Sequence, residues 1–299
     1  MRVSVSVPAT SANLGPGFDC FGLALELCNE VTVDTEALAD VTWEGEGADE
    51  LPGDGTDMVS RTMASVASSM EMELPPLSLH GVNRIPLARG LGSSSAAAVA
   101  GVVLASRILD LGLDGYSVEP SGRDVFSVFA NAAQIEGHPD NAAPAAFGGV
   151  TVVADGFVRR FDPHPALQPV AIVPTVRLET AAARRALPDV VPLADAVFNA
   201  AHAALLLEAL TSDPELLRVC LRDRLHQDVR LALVPDVADV FVELRRRNIP
   251  VCLSGAGPSL LAFPLDGAPE ITRELLGVSE DWRIWPLATR REGFEVIDG

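Results

Sequence analysis

An α+β fold in two halves is predicted by three observations on this 299-residue chain. Segments with strand-like alternation are mixed with segments of helical spacing, without the regular strand–helix alternation of a parallel α/β sheet. The texture changes at 155–169, where Pro163, Pro165 and Pro169 fall among polar residues, so a boundary is expected there: one half at 1–160, the other at 161–299. An apolar share of 48% over this length is ample for a large core.

The elements follow in order. Val3, Val5 and Val7 alternate as a strand expected to end at Pro8, and a second strand is expected near Val31-Thr-Val-Asp. Residues 40–56, acidic and glycine-rich, predict turns or a hairpin. Helical character runs from Met58 to Met70. Leu77 to Val82 reads as a strand. Ser94 to Asp110 is an alanine- and valine-rich helix, Ala being the best helix former. Arg123 to Gln134 is a further helix, and Gly148-Gly-Val-Thr-Val-Val a turn and strand. In the second half we expect a strand at Val170–Val176, then helices at Thr180–Leu187, Leu193–Leu210, Pro214–Arg224 and Asp236–Arg247. The last is amphipathic, and strands near Val251 and Leu260 flank a glycine turn.

Charge narrows the partners. The formal net charge is −19, with 41 acidic residues against 22 basic, all of them arginine. Nucleic acid is excluded, because phosphate backbones need clustered cations. The scattered acids read either as a surface suited to high salt, where self-repulsion is screened, or as one for a basic partner. With no run of 18 apolar residues and a strand-like start, no membrane span or signal peptide is expected. Cys20, Cys28, Cys220 and Cys252 lack metal-ligand spacing and read as reduced thiols of a cytoplasmic protein.

Four motifs carry chemistry. Residues 86–101 place Pro86, Arg89, Gly90, Leu91 and Gly92 before Ser93, Ser94 and Ser95 and an alanine-rich helix. Glycines let backbone approach a ligand, and the first N–H groups of a helix favour an anion. The serines are expected to cap that helix. Without lysine, phosphate here must be held by backbone dipoles. A tight turn before a capped helix accounts for the same residues without a ligand. Residues 8–22 hold Asn13 and Asp19 in a segment bracketed by Gly15 and Gly17, an amide and a carboxylate suited to a small zwitterion. Residues 136–149 cluster Glu136, His138, Asp140 and Asn141. Residues 254–259, Ser-Gly-Ala-Gly-Pro-Ser, put Gly255 and Gly257 in a turn between apolar strands. Arg184, one helical turn after Thr180, and Arg230 are candidates for holding a carboxylate through their planar forks.

The run from Pro86 to Ser94 resembles the phosphate loop of the GHMP kinases. Residues 10–19, Thr-Ser-Ala-Asn-Leu-Gly-Pro-Gly-Phe-Asp, and 138–149 resemble two signatures of the homoserine kinase branch, and 254–259 resembles the third GHMP motif. The resemblance implies an N-terminal ATP-binding domain like ribosomal protein S5 domain 2 and a ferredoxin-like C-terminal domain. It implies transfer of phosphate from ATP, with Mg²⁺, to the side-chain hydroxyl of L-homoserine, on the way to threonine. Asn13, Asp19, His138, Asn141, Thr180, Arg184 and Arg230 would hold the amino acid. Ser94 would ligate Mg²⁺, with Glu136 as a further ligand. Some members carry a metal-binding Glu eight residues before the histidine; this chain has Ala130 there. Asp57 replaces an Asn that faces adenine in many members. No general base stands out, and a homodimer is left open. Two other readings remain: a mevalonate or shikimate type of GHMP kinase, and a catalytically silent ligand sensor of the same fold.

Overall fold

The computed structural model describes residues 1–111 and 123–298. β1 (Arg2–Ala12) runs antiparallel to β2 (Phe21–Asp34). The first strand does not stop at Pro8. A register shift between Pro8 and Ala9 lets the pairing continue to Ala12, because a bulge accommodates a residue with no N–H to give. β3 (Val41–Gly45), α1 (Met58–Ser69) and β4 (Ser78–Asn83) come next. β3 and β4 pair in parallel, so residues 40–56 open a strand–helix–strand unit instead of forming a hairpin.

α2 (Ser93–Ile108), α3 (Arg123–Glu136) and α4 (Pro139–Phe147) follow, then the hairpin β5 (Val150–Ala154) and β6 (Phe157–Phe161). The second half contains β7 (Val170–Val173), α5 (Thr180–Arg185) and α6 (Leu193–Thr211). The helix expected over 214–224 is instead a 3-10 turn, Pro214–Leu216, and a single turn α7 (Leu217–Cys220). It stops there because Asp223 draws the backbone N–H groups of Leu225, His226 and Gln227 to its carboxylate. That bond pattern starts α8 (Gln227–Leu231). α9 (Pro235–Arg246), β8 (Val251–Leu253), β9 (Leu260–Ala262), α10 (Arg273–Leu276), β10 (Arg283–Pro286) and β11 (Glu295–Asp298) complete the described chain.

Two sheets result. The first has the order β11-β1-β2-β4-β3, with β5 on β2 and β6 on β5; the second has the order β10-β7-β9-β8. β11 thus leaves the second half and rejoins the first sheet beside β1. Val5, Leu23 and Val33 of the first sheet share a core with Val99 and Val103 of α2. α2 is buried on most of its circumference, which its run of Ala and Val permits. Ile172, Leu253 and Leu260 share a second core with Val237, Phe241 and Leu244 of α9. α6 is long and apolar enough, by length and composition, to cross a membrane, though Asp195, Asn199, His202 and Glu208 interrupt its apolar run.

Candidate active site

Three loops meet where the halves join. The segment before α2 is strapped to β1 by a hydrogen bond from Thr10 N to Leu91 O, 3.1 Å, and to the β8–β9 turn by Ser254 Oγ donating to Gly90 O, 2.7 Å. Gly255 N donates to Ala12 O, 3.1 Å, closing the triangle. Both glycines of the loop are required by geometry. Gly90 has φ 76°, and a Cβ there would lie 2.2 Å from Ser254 O. Gly92 has φ 70°, and its Cβ would lie 1.9 Å from Thr10 Oγ1.

Gly92 is also the N-cap of α2, and no side chain caps it. The serines therefore do not cap the helix as expected, and its first N–H groups keep their attraction for an anion. Ser94 instead donates to Glu136 Oε1 at 2.7 Å, and the other Glu136 oxygen meets His138 Nδ1 at 3.1 Å. That hydrogen bond raises the His138 pKa. The bond favours the charged form of the ring.

These groups line one cavity of about 350 Å³. Its walls are of two chemical kinds. Val31, Trp43, Leu51, Met58, Leu87 and Ala97 form an apolar wall; Asn13, Asp19, Asp140, Thr180, Arg184 and Arg230 carry polar groups into it. Of the sequence-predicted residues, Pro86, Arg89, Gly90, Gly92, Ser93, Ser94, Glu136, His138, Asn141, Asp57 and Gly255 also line the cavity. Leu91 and Ser95 are fully buried beneath it, and Gly257 sits in the β8–β9 turn behind Gly90. Asp57 lies in the wall, but its carboxylate is engaged by Ser60 N and Ser60 Oγ as the N-cap of α1. Arg89 reaches across to the carbonyls of Pro174 and Thr175 and joins the two halves.

The polar wall is organised in pairs. Arg184 Nη1 and Nη2 donate to the two oxygens of Asp19 at 3.0 and 2.7 Å. Asn13 Nδ2 donates to Gly255 O at 2.7 Å, while its Oδ1 accepts from Asp19 N at 2.9 Å. Asn141 Oδ1 accepts from Thr10 Oγ1, leaving its NH₂ as a donor. Asp140 is buried, and desolvation, aided by the negative charge of Asp19, raises its pKa to about 6.

Arg230 is 2% exposed, and its Nε has no hydrogen-bond partner among the described residues. Its Nη1 donates to Gly255 O, 3.3 Å, and meets His226 Nδ1 at 3.2 Å. His226 Nε2 lies 2.8 Å from Gly15 O. A carbonyl only accepts, so Nε2 carries the ring proton and Nδ1 receives the arginine's. Burial lowers the His226 pKa and favours this neutral ring. Phe18 stacks on His226 with ring centres 5.0 Å apart and stands 5.1 Å from the Arg230 guanidinium. Asn199 of α6 donates to Asp223 at 2.6 Å and steadies the turn that carries His226.

The sequence reading missed Phe18, Asp223, His226 and the apolar wall around Trp43. His226 stands four residues before Arg230, and Asp223 three before His226; that spacing was the available signal. Trp43 had none, since it joins the wall through the pairing of β3 with β4, and Leu51 had none, since it follows in the turn closed by its N–H to Gly47 O. Among the described residues no group of three or more His, Cys, Asp or Glu side chains could hold a metal ion by itself.

Comparison with known proteins points one way. Residues 57–149 match the GHMP kinases N terminal domain family. A homoserine kinase from Clavibacter michiganensis is 42% identical over 95% of this chain and 89% of its own length. One from Streptomyces avermitilis is 40% identical over 99% of this chain and 95% of its own. The crystal structure of homoserine kinase from Cytophaga hutchinsonii superposes with a TM-score of 0.79 at 24% identity. It covers 99% of this chain and 97% of that one, a likeness of fold.

Proposed function

The chain belongs to the homoserine kinases, a branch of the GHMP kinases, and on that premise we propose how its cavity transfers a phosphoryl group. The reaction is the ATP-dependent phosphorylation of the L-homoserine side-chain hydroxyl, giving O-phospho-L-homoserine and ADP. Residues 1–160 form the ATP-binding part and 161–299 the part that completes the amino acid subsite.

The observation that carries the reading is the Asp19–Arg184 pair facing Arg230. A zwitterion needs an anion for its ammonium and a cation for its carboxylate. Asp19 and Arg184 supply both and neutralise each other until such a molecule enters. Arg230, with a free Nε and a position fixed by His226 and Phe18, adds a second arm for the carboxylate. His138 and the Asn141 amide donate toward the hydroxyl end, and Thr180 lines the same cavity. No side chain is assigned as general base, because phosphoryl transfer depends mainly on positioning and charge stabilisation.

The apolar wall around Trp43, Leu51 and Met58 suits adenine. Backbone N–H groups of 90–94 would hold the β- and γ-phosphates. The Ser94 hydroxyl and Glu136 carboxylate, already in contact, are hard oxygen donors of the kind Mg²⁺ prefers, and two of them suffice when phosphates complete the shell. The ion would offset charge on the transferring group. Glu136 thus stands in for the carboxylate absent at Ala130. The four cysteines are unpaired, in keeping with a reducing cytoplasm.

Release of ADP, followed with homoserine, mevalonate, shikimate and threonine in turn, tests the reading. Homoserine should be turned over far better than the others. Comparable kcat/KM on mevalonate or shikimate would assign the chain to another kinase, and nucleotide binding without turnover would make it a sensor.

A further inference from the structure

A second cavity, of about 280 Å³, opens on the second half and shares no lining residue with the first. α7 and the turn after it supply Arg218, Leu221 and Arg222; the end of α9 and the approach to β8 supply Arg245, Ile249 and Val251. Three cations and no carboxylate line it, in a chain where acids outnumber arginines 41 to 22. The nearby acids are engaged elsewhere. Glu215 pairs with Arg218 Nε at 2.9 Å, Glu243 with Arg246 and Arg247, and Asp223 with three backbone N–H groups. Arg218 Nη1 donates to Asn248 O at 2.7 Å, which ties the two walls together and leaves Nη2 as a donor. Arg222 and Arg245 lie over the rings of Phe198 and Phe241, 5.4 and 5.6 Å from their centres. Neither has a carboxylate partner among the described residues, and a guanidinium resting on a ring keeps its in-plane N–H donors.

We propose that this cleft binds a small phosphomonoester, its dianion held by Arg222, Arg245 and Arg218 Nη2, and that the bound anion tightens the amino acid subsite. Glu215 offsets the charge of Arg218, so two positive charges are left to meet two negative ones. A phosphate presents three terminal oxygens in a tetrahedral array, which matches donors from three places in the chain; a planar carboxylate offers two. Leu221, Ile249 and Val251 are buried and form an apolar floor for a short carbon skeleton. Both walls run on into the amino acid subsite. A Cβ at Gly15 would lie 3.2 Å from Leu221 O, so the floor of the cleft also supports the loop that carries Asn13 and Asp19. Val251 begins β8, and beyond its end Gly255 O accepts from Asn13 Nδ2 and Arg230 Nη1. An anion that draws the two walls together therefore steadies both supports, and homoserine should bind more tightly when it is present. The coupling rests on the homoserine reading of the first cavity; the binding does not.

Calorimetric titration of the full chain is the first test. Saturating L-homoserine and a non-hydrolysable ATP analogue with Mg²⁺ keep the first cavity filled. Glycerol 3-phosphate should bind at one site, inorganic phosphate more weakly for want of the apolar part, and succinate, a dianion of two carboxylates, more weakly still. Arg222→Ala and Arg245→Ala should each weaken glycerol 3-phosphate by at least about 10-fold, the loss expected of a charge-assisted contact. Both should leave homoserine turnover unchanged when no phosphate compound is added. At saturating ATP, glycerol 3-phosphate should lower the KM for homoserine in the natural protein and not in the double variant. Three results overturn the binding proposal: no heat from either phosphate compound up to ~10 mM, the weak end of the affinity scale; binding that both variants retain, the mark of an adventitious ion only; or succinate bound more tightly than glycerol 3-phosphate. Binding lost in the variants but without effect on KM overturns the coupling. Absence of any homoserine turnover in the natural protein counts against the kinase reading instead, and the calorimetry still decides the cleft.

Discussion

The Asp140 carboxyl has a raised pKa of about 6, first from burial and then from the charge of Asp19. An aspartate in the unfolded chain titrates near 3.9. Between those values the native state keeps a proton that the unfolded state has released. Stability therefore falls as pH rises through that window, and above it the whole penalty is present, at most ~3 kcal/mol. Asp140→Asn should raise the melting temperature at pH 7.5 and leave it nearly unchanged at pH 4. Thermal melts of both proteins across this range check the sign. A difference between them that is constant with pH would mean that the native carboxyl is not held protonated. Asp140 was visible in the sequence as one of a polar cluster. Its burial was not, because that depends on α4 packing so tightly on β2 that a Cβ at Gly22 would lie 2.3 Å from the Asp140 carbonyl oxygen.

The loop and first turn of α2 divide their work between backbone and side chain. Gly92→Val should abolish nucleotide binding, as it puts a branched Cβ onto Thr10 Oγ1 at a residue that needs a positive φ. Ser94→Ala keeps the N–H groups and removes one oxygen from the Ser94–Glu136 pair, so it should bind ATP and lose turnover. Raising Mg²⁺ should restore part of the Ser94→Ala rate and none of the Gly92→Val rate. Calorimetric titration with nucleotide and assays across Mg²⁺ concentration separate the two. Equal losses, insensitive to Mg²⁺, would leave Ser94 without a metal role.

Elements like α2 were legible because Ala and Val settle both propensity and burial at once. α4 was not, since Pro139 and Pro144 read as breakers, though Pro139 occupies the first turn where its missing N–H is harmless. The helix expected over 214–224 failed for the opposite reason. Its apolar spacing is real, and Leu217 and Cys220 are buried, but three hydrogen bonds to Asp223 outweigh continuation of the spiral. The loops of the site were legible as motifs. The pairing of Asp19 with Arg184 was not, because the partners lie 165 residues apart.

Across the whole molecule, 41 acids face 22 arginines. Salt acts on this surface in two opposing ways. It weakens exposed ion pairs such as Arg246–Glu243, which contribute little in water. It also screens the repulsion of an excess of 19 negative charges, which grows with every close pair of acids. The second effect should win, so the melting temperature should climb steadily as KCl is raised toward molar concentrations. A flat or falling curve would remove the high-salt reading of the composition. The return of β11 to β1 has a temporal side. The outer edge of β1 stays open until residues 295–298 have been made and docked. In a chain built from its N-terminus, the first strand laid down is therefore among the last to be fully paired. The closure joins ends of the sequence nearly 300 residues apart, the kind of long-range contact that slows folding and leaves a strand edge exposed to wrong partners in the interval.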